Sequence, residues 1–352
     1  MKGMPVFVAL RDLRAARGRF ALITIVVLMV AVLTSFLSGL TAGLRHQNVS
    51  AIESISAQTV VFSGGGTGPS FDDSSVTPDQ IATWERAGGD VDPIGIGRAK
   101  ALSDGGWTAA VAVIGADAGF GDRPPLAPHT VVLSEPAASD LDAEAGDTVT
   151  LGGEQFTVGA VHGDDWYSHS PVVWTGFTDW QTLNRTTDAT VLGVTGVPNT
   201  AAVNRIAGTT STSASDALKA IGSYTSENRS LTLMTVMLFA ISALVIGAFF
   251  TVWTIQRTPD IAVLKALGAS TGSLVRDALG QALIVLVVGV GAGLAITAAV
   301  AQVMGDAVPF VMDLSTTVVP AAALVGLGLL GAGVALRFVS TTDPLTALGS
   351  TR

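Results

Sequence analysis

Four uncharged runs of membrane length, interrupted by one long acidic insert, limit what this chain can fold into. The runs are Phe20–Leu44, Ser230–Gln256, Ala278–Gly305 and Leu314–Leu336. Each exceeds the roughly 20 residues that a helix needs to cross a bilayer core. A helix satisfies its backbone polar groups within one segment, which lipid demands. Residues 45–229 separate the first two runs, whereas the later links are short. The pattern predicts a membrane protein with four transmembrane α-helices and an α+β extracytoplasmic domain between the first and second spans.

Charged residues make up 13% of the chain, about half the share usual in a soluble domain. Their distribution is polarised. Residues 45–229 hold 9 Lys/Arg against 22 Asp/Glu. The segments 1–19, 257–277 and 337–352 hold 10 Lys/Arg against Asp12, Asp260, Asp277 and Asp343. Short basic loops stay in the cytoplasm, so both termini and the 257–275 loop are expected inside, with the acidic insert outside. The first apolar run is longer than a 7–15-residue signal-peptide core, so it is expected to remain as a span. There is no cysteine, which leaves the insert without disulfides and excludes thiolate metal ligands. Nucleic acid is not an expected partner.

The expected organisation is a cytoplasmic amphipathic helix at 1–19, spans at 20–44, 230–256, 276–305 and 314–336, the outside domain at 45–229, a cytoplasmic loop at 257–275, an outer loop at 306–313 and a cytoplasmic tail at 337–352. Phe7–Arg17 alternates apolar residues and arginines like a helix lying on the inner surface. Arg45–Ala57 continues helical after the first span. The glycine-rich Ser63–Ser70 reads as a loop. Thr148–Leu151 and Gln155–Val161 flank Gly152-Gly153-Glu154, a hairpin signal. Thr108–Ile114, Thr130–Leu133, Val172–Trp174 and Thr190–Val194 read as strands, and Thr77–Arg86 and Asp179–Asn184 as short helices. Small residues at Gly289/Gly293, Gly291/Ala295 and Gly328/Ala332 predict close helix packing.

The cytoplasmic segment Arg257–Ser270 has more order than a connector requires. Thr258 reads as a cap, Pro259 suits the first helical position, and Asp260 meets the positive end of the helix dipole. Ile261, Leu264 and Leu267 form one apolar ridge, and Gly268 ends the helix. The segment resembles the R-x-x-E-I-x-x-L-(K/R)-A-(L/I)-G-A signature of FtsX-like, MacB-type (type VII) ABC transporter permeases, with Asp260 in place of the usual Glu. Ala9–Leu13 and Asp343–Leu348 resemble that family's ends. The resemblance implies that Pro259, Asp260, Ile261, Leu264, Lys265, Leu267 and Gly268 form a coupling helix seated in a cytoplasmic ABC ATPase. The chain has no G-x-x-x-x-G-K-[ST] loop, so ATP is expected to be bound and hydrolysed by that separate subunit, in two copies. Four spans do not enclose a wide pathway, so a homodimer is expected in the bacterial cell membrane. No H-E-x-x-H helix occurs, and a non-catalytic subunit is expected.

A further resemblance is to the HrtB haem-exporting permeases, carried by Tyr224–Glu227 and Leu231–Met234 and supported by Trp166–Trp174. It implies haem as the transported ligand. Glu227, Leu231 and Met234 stand at i, i+4 and i+7, one stripe of a helix entering the membrane. Haem iron accepts carboxylate, His, Met or Tyr ligands. Glu227 is therefore a candidate iron ligand, with Tyr224, Met234, Met237, Met29 and His46 ranked after it. Arg45 and Arg229 are candidates for the propionates. A carboxylate in water at the outer end of a span, and methionines that only pack, explain the same residues. Two other functions fit the framework: an FtsX-type mechanotransmitter regulating a cell-wall hydrolase, and an exporter of a peptide or lipid amphiphile.

Overall fold

A computed structural model describes residues 17–340 apart from 66–67, 118–123, 125 and 306–307. The expected surface helix at 1–19, up to residue 16, and the tail from 341 lie outside the described residues. So do the side chains of Asp260 and Ile261. Among the described residues four helices are long and apolar enough to cross a membrane. They are α1 (Arg17–Glu53), α7 (Tyr224–Gln256), α9 (Thr271–Met304) and α10 (Leu314–Ser340). The chain divides into two compact units, residues 44–229 and the helical remainder.

In the helical unit, glycines set the closeness of packing. A Cβ on Gly289 would lie 2.7 Å from Val27 Cγ1, and one on Gly293 would lie 2.7 Å from Ala31 Cβ, so α9 rides directly against α1. Gly328 of α10 accommodates Leu286 of α9, and Gly331 accommodates the backbone of α7 at Gly247. Gly291 faces open space, so the expected ridge through Gly291 and Ala295 has no helix against its glycine. Val311 N donates to Gly39 O at 3.2 Å, and the Phe310 ring lies 5.5 Å from that of Phe36, seating the stretch before α10 on α1.

The domain of residues 44–229 is α+β around a ten-stranded mixed sheet. Its strands are β1 (Thr59–Ser63), β2 (Asp90–Ser103), β3 (Thr108–Ala116), β4 (Thr130–Leu133), β5 (Thr148–Leu151), β6 (Glu154–Val161), β7 (Trp166–Tyr167), β8 (Ser170–Thr175), β9 (Val191–Thr195) and β10 (Thr209–Ser213). Their order is β10-β1-β9-β2-β3-β8-β4-β6-β5, and β5 also pairs with β2, closing a ring of six strands. Pairs β3–β8 and β4–β6 are parallel, and the rest are antiparallel. The 148–161 hairpin forms as the turn chemistry predicts.

β3 is buried on both faces, which explains its unbroken apolar run. Val111 and Val113 enter one core cluster, and Ala112 and Ile114 the other. The first cluster is covered by α2 (Pro78–Arg86), α3 (Glu135–Leu141), α4 (Phe177–Asn184) and α5 (Thr200–Ala207). Helix α2 starts with a full capping box between Thr77 and Gln80. Helix α4 lies close because the paired residues Gly95 and Gly115 carry no side chain where Trp180 sits. The second cluster takes Val49, Ala51 and Ile52, which is why α1 stays helical beyond the end of its uncharged run. It also takes the short helix α6 (Ala214–Ala217).

Candidate functional site

The root of the domain gathers polar groups from three distant stretches of chain. Helix α1 supplies His46, Asn48 and Ser50, the β7–β8 hairpin supplies 164–170, and the first turn of α7 supplies Glu227. Tyr167 pairs with Ser170, which leaves Ser168 and His169 as a two-residue turn with φ of 48° and 62°. Both central residues are left-handed, the primed geometry that suits a twisted hairpin, although neither is glycine. The turn docks onto α1, where Ser168 N donates to Asn48 O at 3.0 Å and His169 N to Gln47 O at 2.9 Å. Ser50 Oγ accepts from Trp166 N at 2.8 Å.

This docking places His169 Nε2 at 3.0 Å from Glu227 Oε2. Asn48 Nδ2 donates to the same oxygen at 2.7 Å and also reaches Ser223 Oγ at 3.3 Å. Asn48 is 1% exposed, so the amide that orients Glu227 is fixed by burial, while the carboxylate itself remains 40% exposed. Glu227 is thus an oriented, accessible carboxylate in the first turn of a helix, where a negative charge is favoured. A second pair lies beside it: His46 Nε2 is 3.1 Å from Asp164 Oδ2 and 2.8 Å from Asp164 O. The His46 contact, opposed by partial burial and assisted by the Trp166 indole, holds the Asp164 carboxyl below the usual carboxylate range.

The other sequence candidates fall in three places. Arg45 forms an ion pair with Glu53, Tyr224 packs against the second core cluster, and Arg229 is exposed. Met29, Met234 and Met237 lie on α1 and α7, each more than half exposed. Sequence reasoning missed Asn48, Ser223, Asp164 and the role of His169. Their partners lie far away in the chain, so no local pattern links them. Among the described residues no cluster of three metal-ligating side chains occurs. Tyr167, Trp174 and Trp180 are buried core residues.

The segment after α7 folds as α8 (Thr258–Ala266). Thr258 does not cap it. Arg257 is the N-cap, without a side-chain cap bond, and the Thr258 hydroxyl turns back to Thr254 O at 3.4 Å. The helix of α7 is followed too closely for Thr258 to adopt the extended conformation that capping requires. Gly268, at φ 94°, ends α8. Val263, Leu264 and Leu267 are exposed and share one face. The root of α8 is tied to α9: Arg257 stacks over Trp253 at 5.2 Å and hydrogen-bonds the fully buried Gln281. Gln281 Nε2 donates to Asp277 Oδ2 at 3.0 Å.

Four membrane-length helices, a sheet domain inserted after the first of them, and a short helix with an exposed apolar face define a polytopic membrane protein. Residues 232–344 match the model of the FtsX-like permease C-terminal family. Over these residues the chain is similar to the FtsX-like permeases. A protein of Staphylococcus haemolyticus named as a hemin transport system permease, HrtB, is 25% identical over 357 residues, covering 97% of this chain and 98% of that one. An uncharacterised ABC transporter permease of Mycobacterium tuberculosis is 26% identical over 359 residues, covering 98% and 99%. The periplasmic region of MacB from Actinobacillus actinomycetemcomitans aligns at a TM-score of 0.36 and 14% identity, covering 47% of this chain and 94% of that structure.

Proposed function

We propose that the chain is the non-catalytic permease subunit of an ATP-driven efflux pump for haem. It works as a homodimer with two copies of a cytoplasmic ABC ATPase, and its termini and α8 lie in the cytoplasm. The observation that carries the haem reading is the oriented, half-open carboxylate of Glu227 in the first turn of α7. Similarity along nearly the whole chain to proteins named as hemin permeases supports it.

Haem is an apolar disc with two propionates and an iron that accepts oxygen ligands. Glu227 is the first candidate to meet the iron, exchanging a hydrogen bond for the metal. Tyr224, His46, Met29, Met234 and Met237 are further candidates, and Arg45 and Arg229 are candidates for the propionates. Leu231 and Met234 follow Glu227 at i+4 and i+7 along α7, offering apolar cover for a porphyrin face. Haem partitions into lipid, so collection from the outer half of the membrane suits a carboxylate at this level. On the other side of the membrane, Val263, Leu264 and Leu267 give α8 an apolar face to seat in the ATPase. The bonds from Arg257 to Gln281 then pass any displacement of α8 to α9.

The test is the visible absorption of the purified permease titrated with haemin, beside Glu227→Ala. A saturable, shifted Soret band that the variant loses is the expected result. Absence of a specific band in the parent would overturn haem as cargo and leave the permease assignment standing.

A further inference from the structure

The hairpin of β2 and β3 points toward the end of the domain from which α1 enters its uncharged run. A Cβ on Gly193 would lie 3.2 Å from Ala57 Cβ, just beyond the end of α1, and Gly193 pairs with Asp92. Further along β2, the Arg98 guanidinium donates to Ser168 Oγ at 3.1 Å, and Ser168 N donates to Asn48 O. β2 therefore runs from the level of Ala57 back to that of Asn48. Beyond Arg98 it stays paired with β3 as far as Leu102 and Thr108, and residues 103–107 close the turn. The stretch from Arg98 to Leu102 spans about 13 Å. From Asn48 back to Leu44, the last residue of the uncharged run, α1 travels about 6 Å. A hairpin inclined to α1 by about 45° would still cover roughly 9 Å of that descent. Its tip stands at the depth where the uncharged run ends.

The tip is ordered. Gly106 N donates to Ser103 O at 2.9 Å, Ser103 N donates to Trp107 O at 3.0 Å, and Gly106 takes φ 85°. A left-handed glycine closing a tight turn in this way fixes the backbone of Trp107. Its side chain is nevertheless 57% exposed, and Leu102 is exposed as well. An indole held out in water is costly, whereas one at the edge of a bilayer puts its ring among lipid and its N–H among polar groups. Arg98, Lys100 and Leu102 alternate onto one face of β2, and both cations are exposed. Asp104 is the one acid among residues 97–112, in a domain with 9 Lys/Arg and 22 Asp/Glu.

We infer that the tip of the β2–β3 hairpin rests in the headgroup layer of the bilayer that α1 crosses. Trp107 sits at the boundary between headgroups and acyl chains, where tryptophan is enriched in membrane proteins. Lys100 follows it among the headgroups, with Arg98 behind, and both attract anionic lipid. The rest of the domain is acidic and is repelled by the same lipid, so this hairpin sets which face of the domain turns to the membrane. The contact gives the domain a second foothold besides the helices that carry it. It rests on α1 being a span and is independent of haem and of Glu227.

The experiment places a nitroxide spin label on the full chain in nanodiscs of phosphatidylcholine, alone or mixed equally with phosphatidylglycerol. The chain has no cysteine, so single variants label uniquely. Asp104→Cys reports the tip, Asp90→Cys the opposite end of β2, and Leu33→Cys on α1 the lipid interior. The reading is broadening by a water-soluble nickel chelate against broadening by oxygen. The label at 104 should be severalfold less open to the chelate than the label at 90. Adding Trp107→Ser should return it to the value at 90, and Lys100→Gln should weaken its protection in the mixed discs alone. Equal accessibility at 104 and 90, or protection that survives Trp107→Ser, would overturn the contact. Dipolar coupling between two labels at 104 would assign the tip to a second copy of the chain and overturn lipid as its partner. Water at Leu33 would overturn the span itself, a failure distinct from that of the tip.

Discussion

Among the described residues of the inserted domain, few large apolar side chains face outward; Leu102, Trp107, Val161 and Ile206 are the exposed ones. On α1, α7, α9 and α10 such residues are common, with Leu22, Leu33, Leu244, Val303 and Leu330 all open. The same chemistry meets two solvents. In the domain, exposure of an apolar group to water is costly, which keeps such groups few. On the helices, lipid accepts such groups freely, so the exposure of Met29, Met234 and Met237 says little without a partner. Cohesion differs in kind as well. The domain is held by two dense apolar clusters, whereas the helices approach one another through missing side chains at Gly289, Gly293 and Gly328.

This contrast can be broken or sharpened by substitution. The largest effect belongs to the domain core. Trp84 is fully buried, and its indole donates to Thr209 Oγ1 at 3.1 Å. Trp84→Ala should destabilise the domain by about 3–5 kcal/mol. Thermal melting of the full chain checks this, and a transition unchanged from the parent would mean that the first cluster does not hold the domain. Among the helices, a single methyl should be felt wherever a Cβ has no room. Gly289→Ala should cost about 1–3 kcal/mol through overpacking against Val27, and Gly291→Ala, facing open space, should cost nothing. Equal loss in detergent unfolding for the two variants would remove glycine contact as the cause.

The smallest effect is one of pH. Asp164, held below the usual range by His46 and Trp166, has a folded value lower than its unfolded one. Its contribution is fully present above an ordinary carboxyl value of about 4 and is lost as the pH falls through the lower folded value. Exchange protection of the Ser168 and His169 amides should therefore fall in acid. Asp164→Asn should lower it already at neutral pH and flatten the dependence; a parent-like profile in that variant would assign the pH response elsewhere.

Most of what was legible in the sequence is local. The apolar runs announce the spans by length alone, Thr77-Pro78 announces a capped helix, and Gly152-Gly153 announces a hairpin. β2 was not legible. Gly97-Arg98-Ala99-Lys100-Ala101 has neither β-branched nor aromatic residues, and it becomes a strand because β3 pairs along it. Thr209–Ser213 has β-branched threonines but no apolar residue to mark a buried face, and it is made a strand by β1. Helices α3 and α5 were also hidden, being too short for a period to declare itself. At the site, Glu227 was visible from its place at the end of a span. Asn48 and His169 were not, because no short-range pattern links residues so far apart.

The turn at Ser168 and His169 has one more consequence. Left-handed backbone costs an ordinary residue about 1 kcal/mol, and glycine would occupy either place without that cost. His169→Gly would therefore relax the hairpin while stripping the imidazole from Glu227. The main chain at this point would be more comfortable with a different residue, and the histidine is present in spite of it.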